Sequence, residues 1–147
     1  MTFYKLLIDL SDVNQETKQL YIHKIQSIND NLNYNSDSGF DLFCCKDENI
    51  NCKSSSNKID LKVKCKMLNP QGYPTGFYLC PRSSLGKTGI RLSNSLGIIY
   101  SRYRGHLLSY VDNISNNNYK IQKNQICFQL LAPTLLPIKI EIVNSLD

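Results

Sequence analysis

Hydrophobic and polar residues alternate along this chain in short runs, mostly with the period of a β-strand. The clearest run is Ile59–Met67. Ile59, Leu61, Val63, Cys65 and Met67 fall on one side, and Asp60, Lys62, Lys64 and Lys66 on the other. This pattern predicts one half-buried strand. Phe3–Asp9 reads as an opening strand, and Leu20–Ile25 as a second extended run behind the polar stretch Ser11–Gln19. Gly39–Cys44, Phe77–Cys80, Leu96–Tyr100, Gly105–Asp112 and Ile138–Val143 are further predicted strands, with Tyr119–Ile121 and Gln125–Leu131 as another pair. Loops are expected where Asn, Asp, Ser and Lys cluster (Ser27–Ser38, Lys46–Lys58, Asp112–Asn118) and where prolines intervene (Asn69–Thr75, Pro133 to Pro137). The one helical segment expected is a turn near Ser83–Lys87. Short strands between turn-rich loops predict an all-β barrel or sandwich.

Composition bounds this picture. At 147 residues, 41% hydrophobic and 20% charged, the chain is expected to form a single domain, 1–147, with a core of its own. A net charge of +5 favours phosphate-bearing ligands mildly. The basic residues are scattered apart from Arg82, Lys87, Arg91, Arg102 and Arg104, and no aromatic-interleaved basic stripe points to nucleic acid. Lys5 and Asp9 interrupt the apolar run of Met1–Leu10, which argues against a signal peptide. No stretch has the length to span a bilayer, so an intracellular protein is expected. Its six cysteines (44, 45, 52, 65, 80, 127) then read as reduced thiols. They contain no CxxC pair, and His23 and His106 stand apart from them, so no metal-ligating set is expected. Cys80 and Cys127 fall in apolar strand patterns and are expected to pack as small hydrophobes.

Candidate chemistry concentrates between Phe77 and His106. Strand Phe77–Cys80 leads through Pro81 into Arg82-Ser83-Ser84. A guanidinium, two hydroxyls and backbone N–H groups at a short helical turn suit an anion. Spacing alone fits an ordinary capped turn better. Asp41, inside the strand Gly39–Cys44, is similarly open to reading as a solvated edge residue.

Resemblance tips both choices. Pro81-Arg82-Ser83-Ser84-Leu85 resembles the second motif of trimeric dUTPases, and Asn94-Ser95-Leu96-Gly97-Ile98-Ile99 with Tyr103-Arg104-Gly105 resembles the third. Ser38-Gly39-Phe40-Asp41-Leu42 is similar to the first, and Gln129-Leu130 to part of the fourth. Lys87-Thr88 and Arg91-Leu92 resemble the versions carried by large DNA viruses. The resemblance implies a jelly-roll-like β barrel assembled as a homotrimer that exchanges C-terminal strands. It implies phosphate binding by Arg82, Ser83, Ser84 and Gln129. It assigns the nucleoside to Asn94, Gly97, Ile98 and Tyr103, with Tyr103 packing under the deoxyribose. Asp41 would support the phosphate site from behind, and Arg104 with Gly105 would hold the hairpin. The implied ligands are dUTP or dUMP, with Mg²⁺ accompanying a triphosphate.

The departures from the family weigh on activity. Tyr100 stands where the family has its catalytic aspartate, so no catalytic residue is assigned. General-base catalysis contributes roughly 10²–10⁴-fold, and phenols, which titrate near ~10, are poor bases at neutral pH. The tyrosine is also large enough to fill the sugar pocket. Asn124-Gln125-Ile126 replaces the fourth motif's Gly-Asp-Arg, and no counterpart of the family's Gly-rich C-terminal arm follows Val143-Asn144-Ser145-Leu146-Asp147. An open, wet site is expected. Three readings follow: an impaired relative that binds deoxyuridine nucleotides or serves as a structural trimer, a working dUTP diphosphatase, or a virion scaffold component with a viral protein partner.

Overall fold

Residues 3–147 are described by a computed structural model; Met1 and Thr2, at the head of the Met1–Leu10 segment, lie outside the described residues. The elements run β1 (Tyr4–Asp9), α1 (Gln15–Asp30), β2 (Gly39–Phe43), β3 (Glu48–Ile50), β4 (Ser54–Asp60), β5 (Lys64–Leu68), β6 (Pro74–Thr75) and β7 (Phe77–Pro81). After a 3-10 turn (Ser83–Lys87) come β8 (Ile90–Leu92), β9 (Gly97–Ile99), β10 (Leu108–Asn113), β11 (Tyr119–Ile121), β12 (Ile126–Leu131) and β13 (Ile138–Val143). The strands order as β13-β1-β5-β6, β4-β10-β8, β11-β3 and β2-β12-β7-β9. This is the all-β class that the alternation predicts, with one helix added.

That helix corrects the expectation of a polar stretch, an extended run and a loop. Asn14 accepts a hydrogen bond from the Thr17 N–H at 2.9 Å, Glu16 sits in the first turn, and Thr17, Tyr21 and Ile25 face the core. The helical period is present, but its apolar stripe is narrow and made of tyrosine and β-branched residues, which favour strands locally. Packing decides in favour of the helix. The buried Tyr21 ring lies edge-on to Phe43, and its hydroxyl accepts the Phe43 N–H at 2.8 Å.

The Ile59–Met67 run keeps its buried face but is not one strand. Ile59, Leu61, Val63, Cys65 and Met67 are all buried. The backbone turns at Lys62, whose φ is +65° and whose N–H donates to Asp60 Oδ1 at 2.9 Å. One alternating segment therefore feeds two sheets. The expected loop Lys46–Lys58 contains β3 and the start of β4, and β11 pairs with β3 rather than β12. β13 has the predicted bounds and lies parallel to β1. Its outer edge is covered by α1, where Asn29 donates to Ile140 O at 2.7 Å and accepts from Ile140 N at 3.1 Å. All six cysteines are free thiols; Cys127 is buried, whereas Cys80 is half-exposed.

Candidate functional site

The sheet β2-β12-β7-β9 sets the site. Its inner face buries Phe40, Leu42, Leu79, Phe128 and Leu130. Alternation then turns Asp41, Gln129 and Cys80 outward, and the registers Asp41↔Gln129 and Gln129↔Cys80 put them in one row. Pairing between β12 and β2 shifts between Ile126 and Phe128, so Cys127 and Phe128 are both buried in succession. At this bulge the Cys127 carbonyl accepts the Arg82 N–H at 2.8 Å, which anchors the chain where it leaves β7.

Arg82 Nη1 donates to Asp41 Oδ1 at 2.6 Å. The second carboxylate oxygen faces Lys24 Nζ of α1 at 3.2 Å. The Asp41 side chain is only 13% exposed, so two cations compensate a carboxylate largely withdrawn from water. Gln129 Nε2 donates to Pro81 O at 3.2 Å. Gly39 makes room for it, because a Cβ there would lie 1.9 Å from Gln129 Oε1. Asp37, Ser38, Gly39, Arg82, Ser83, Gln129 and Leu131 line a pocket of about 340 Å³. Four of the sequence-assigned residues thus gather here: Arg82, Ser83 and Gln129 in the pocket, Asp41 behind Arg82. Ser84 is exposed on the adjoining 3-10 turn. Lys24 was missed. Nothing in the linear pattern marks it, because its role arises from packing α1 beside β2.

The nucleoside-assigned residues do not line that pocket. Gly97 pairs with Leu79, and a Cβ on it would come within 3.3 Å of the Leu79 backbone oxygen. Asn94 and Ile98 are exposed around a turn in which Ser95 takes φ +63°. Tyr100 is 75% exposed in the single chain. Its carbonyl accepts the Tyr103 N–H at 3.0 Å, which closes a turn that carries the side chain outward. Tyr103 donates its hydroxyl to His106 O at 2.6 Å, and its ring packs so closely on Gly105 that a Cβ there would meet the Tyr103 oxygen at 2.8 Å. Arg104 donates to Ser101 O at 2.8 Å and Tyr103 O at 3.2 Å, and its Nε pairs with Asp147. The Arg104 contact holds the Asp147 carboxyl below the usual carboxylate range, with Lys66 assisting.

His106 ends this segment between two carboxylates. Its Nε2 lies 2.8 Å from Asp12 Oδ2, and its Nδ1 lies 3.1 Å from Asp60 Oδ1. The hydrogen bond to Asp12 raises the imidazole above its ordinary value, against partial burial and with help from Asp60. The two partners tie the β1–α1 loop and the end of β4 to the hairpin. Among the described residues no group of three or more His, Cys, Asp or Glu side chains is arranged to hold a metal ion. No helix among them is long and apolar enough to cross a membrane.

Comparison with known proteins accounts for this arrangement. The sequence matches the dUTPase family over residues 25–147. It is 33% identical over 109 residues to the deoxyuridine 5'-triphosphate nucleotidohydrolase of Wigglesworthia glossinidia brevipalpis, covering 74% of this chain and 70% of that one. The corresponding protein of Fusobacterium nucleatum is 33% identical over 111 residues, covering 75% and 74%. Among solved structures, native EIAV dUTPase superposes with a TM-score of 0.58 at 24% identity, covering 86% of this chain and 85% of that one. The Staphylococcus bacteriophage 80alpha dUTPase with dUpNHpp gives 0.55 at 18% identity, covering 68% and 72%. These two structures share the jelly-roll-like β fold. β1 and most of α1, Lys24 included, precede the family match.

Proposed function

Because this chain belongs to the dUTPase family, we propose that it binds deoxyuridine nucleotides as a homotrimer and hydrolyses dUTP poorly. The observation that carries the reading is Tyr100: an exposed phenol follows Gly97-Ile98-Ile99 where the family has an aspartate. Without a carboxylate there, water near the α- and β-phosphates lacks a positioned base. The phosphates go to Arg82, Ser83, Ser84 and Gln129, and the Asp41–Arg82 pair supports binding because it aims the guanidinium at the pocket. The base and sugar go to Asn94, Gly97, Ile98 and Tyr103. A Mg²⁺ accompanying the triphosphate would neutralise part of its charge, while Arg82, Ser83, Ser84 and Gln129 would supply the guanidinium, hydroxyls and amide for the phosphates.

The trimer is supported by the separation of the two residue sets within one chain and by the exposed Leu96, Ile98, Tyr100 and Tyr103. Apolar surface of this kind suits burial by a second copy, and a neighbour's hairpin would complete the phosphate pocket. The intact phosphate residues favour a second reading, an active dUTP diphosphatase. One experiment separates the two: pyrophosphate release from dUTP with Mg²⁺, beside thermal shifts with dUMP and dUTP. Stabilisation by nucleotide with release at least ~10²-fold below a family enzyme carrying the aspartate supports the binder. Brisk release establishes the enzyme, and indifference to both nucleotides leaves a scaffold. Light scattering that gives one monomer mass across micromolar concentrations overturns the trimer.

A further inference from the structure

We propose that Lys24 is a positioning residue of the phosphate site: by occupying one oxygen of Asp41, it leaves part of the Arg82 guanidinium free for an anion. This rests on the reading that Arg82 receives phosphate. Arginine and carboxylate side chains favour two parallel hydrogen bonds when both oxygens are available. Here Arg82 uses Nη1 on Asp41 Oδ1 only, and Nε and Nη2 have no protein acceptor among the described residues. Asp41 Oδ2 is the oxygen a second Arg82 hydrogen bond would take, and Lys24 Nζ stands 3.2 Å from it. Lys24 also makes the net charge of the Lys24–Asp41–Arg82 cluster +1 rather than zero, which suits a phosphate.

The lysine is held in place by its helix at three points. Thr17 Oγ1 donates to Asn124 Oδ1 at 2.6 Å, while Asn124 Nδ2 donates to Glu16 Oε1 at 2.6 Å. Tyr21 is fixed by Phe43, and Asn29 by Ile140. The ammonium also lies 5.9 Å from the centre of the Phe43 ring. Asn124, at φ +70°, belongs to the segment that departs from the family's fourth motif, and the first turn of α1 meets it there. The helix, most of which precedes the family match, thus meets the segment that departs from the fourth motif and carries a cation to Asp41 of the first.

Calorimetry with inorganic pyrophosphate tests the proposal on the full chain, using wild type, Lys24→Met, Lys24→Arg, Asp41→Asn and the Lys24→Met/Asp41→Asn double variant. Lys24→Met is expected to weaken binding about three- to tenfold, and Lys24→Arg to retain it within about twofold. With Asp41→Asn the effect of Lys24→Met should shrink, since no carboxylate then competes for Arg82. An equal loss in both backgrounds would mean that Lys24 only adds charge, and would overturn the proposal. A ligand-free readout separates this from the binding hypothesis: ¹⁵N spectra of the Arg82 side chain. Lys24→Met should slow solvent exchange of the guanidinium as it closes onto Asp41. If pyrophosphate does not bind wild type but exchange slows, the phosphate reading falls and takes the proposed site role with it, leaving only Lys24's control of how Arg82 engages Asp41. Unchanged exchange in folded Lys24→Met overturns it.

Discussion

The proposed phosphate pocket and the hairpin from Ser93 to His106 lie at neighbouring strands of one sheet, yet they are built differently. Asp41, Gln129 and Arg82 are held by strand register, a bulge and ion pairs to partners within the chain. The hairpin closes its own turn through Tyr103 to His106 and Arg104 to Ser101, is tied at its end to Asp12, Asp60 and Asp147, and presents apolar side chains to solvent. Residues in the outward row of a sheet are set at fixed spacing by the strands' register, whatever happens at a turn beyond it. A side chain at an exposed turn, as Tyr100 is, can be exchanged with little effect on the fold. On the proposed reading, the comparison explains how the residues assigned to phosphate could persist beside a change at Tyr100.

The sharpest way to break it is Arg82→Ala. Removing a charge-assisted donor that also compensates Asp41 should weaken pyrophosphate or dUTP binding about 10²-fold by calorimetry. An unchanged affinity would show that the pocket is not where phosphates bind. Tyr100→Asp probes the other region. It should raise pyrophosphate release by no more than about tenfold, short of the ~10²–10⁴ of a well-placed base, because Ile126 still occupies the fourth-motif arginine position. A full recovery would mean that the hairpin alone limited turnover.

Two smaller effects concern the frame. Asn29→Ala strips two hydrogen bonds from Ile140 on the outer edge of β13 and should cost about 1–2 kcal/mol, seen as a Tm lower by about 3–8 °C. No change in Tm would show that water replaces the amide at no cost. The smallest effect is pH-dependent. The folded value of His106 lies above 6.5, so the protonated ring contributes stability that is fully present below that value and is lost as pH rises through the folded value. The facing groups are Asp12 and Asp60, with Lys64 on Asp12 and Lys62 on Asp60. The Tm should fall by about 1–3 °C between pH 6 and 8, and the difference should vanish in His106→Gln. An identical slope in the variant would assign the pH effect to other groups.

Alternation and motif residues made much of the fold legible. The pattern bounds Ile138–Val143, alternation marks the buried face of Ile59–Met67 residue by residue, and Asp41, Arg82, Ser83 and Gln129 stand out by their motifs, far apart in the chain. These features are local, or they recur in fixed order through the family. The misreadings share a cause. Tyr21, Ile22, Ile25 and Ile28 suit a strand as well as a helix, and only contact with Phe43 and the β13 edge selects the helix. Lys62 looked like one more outward residue of a strand until Asp60 turned the backbone there.

The sequence by itself determined that this is a β protein of a recognisable family with a tyrosine directly after Gly97-Ile98-Ile99, because strand period and residue identity are written locally. Tertiary structure decided that α1 folds at all, that it covers the edge of β13, that Tyr100 points to solvent and that Lys24 meets Asp41. Each of these depends on groups far apart in the chain. Their free energies arise only when packing brings them within a few ångströms of each other.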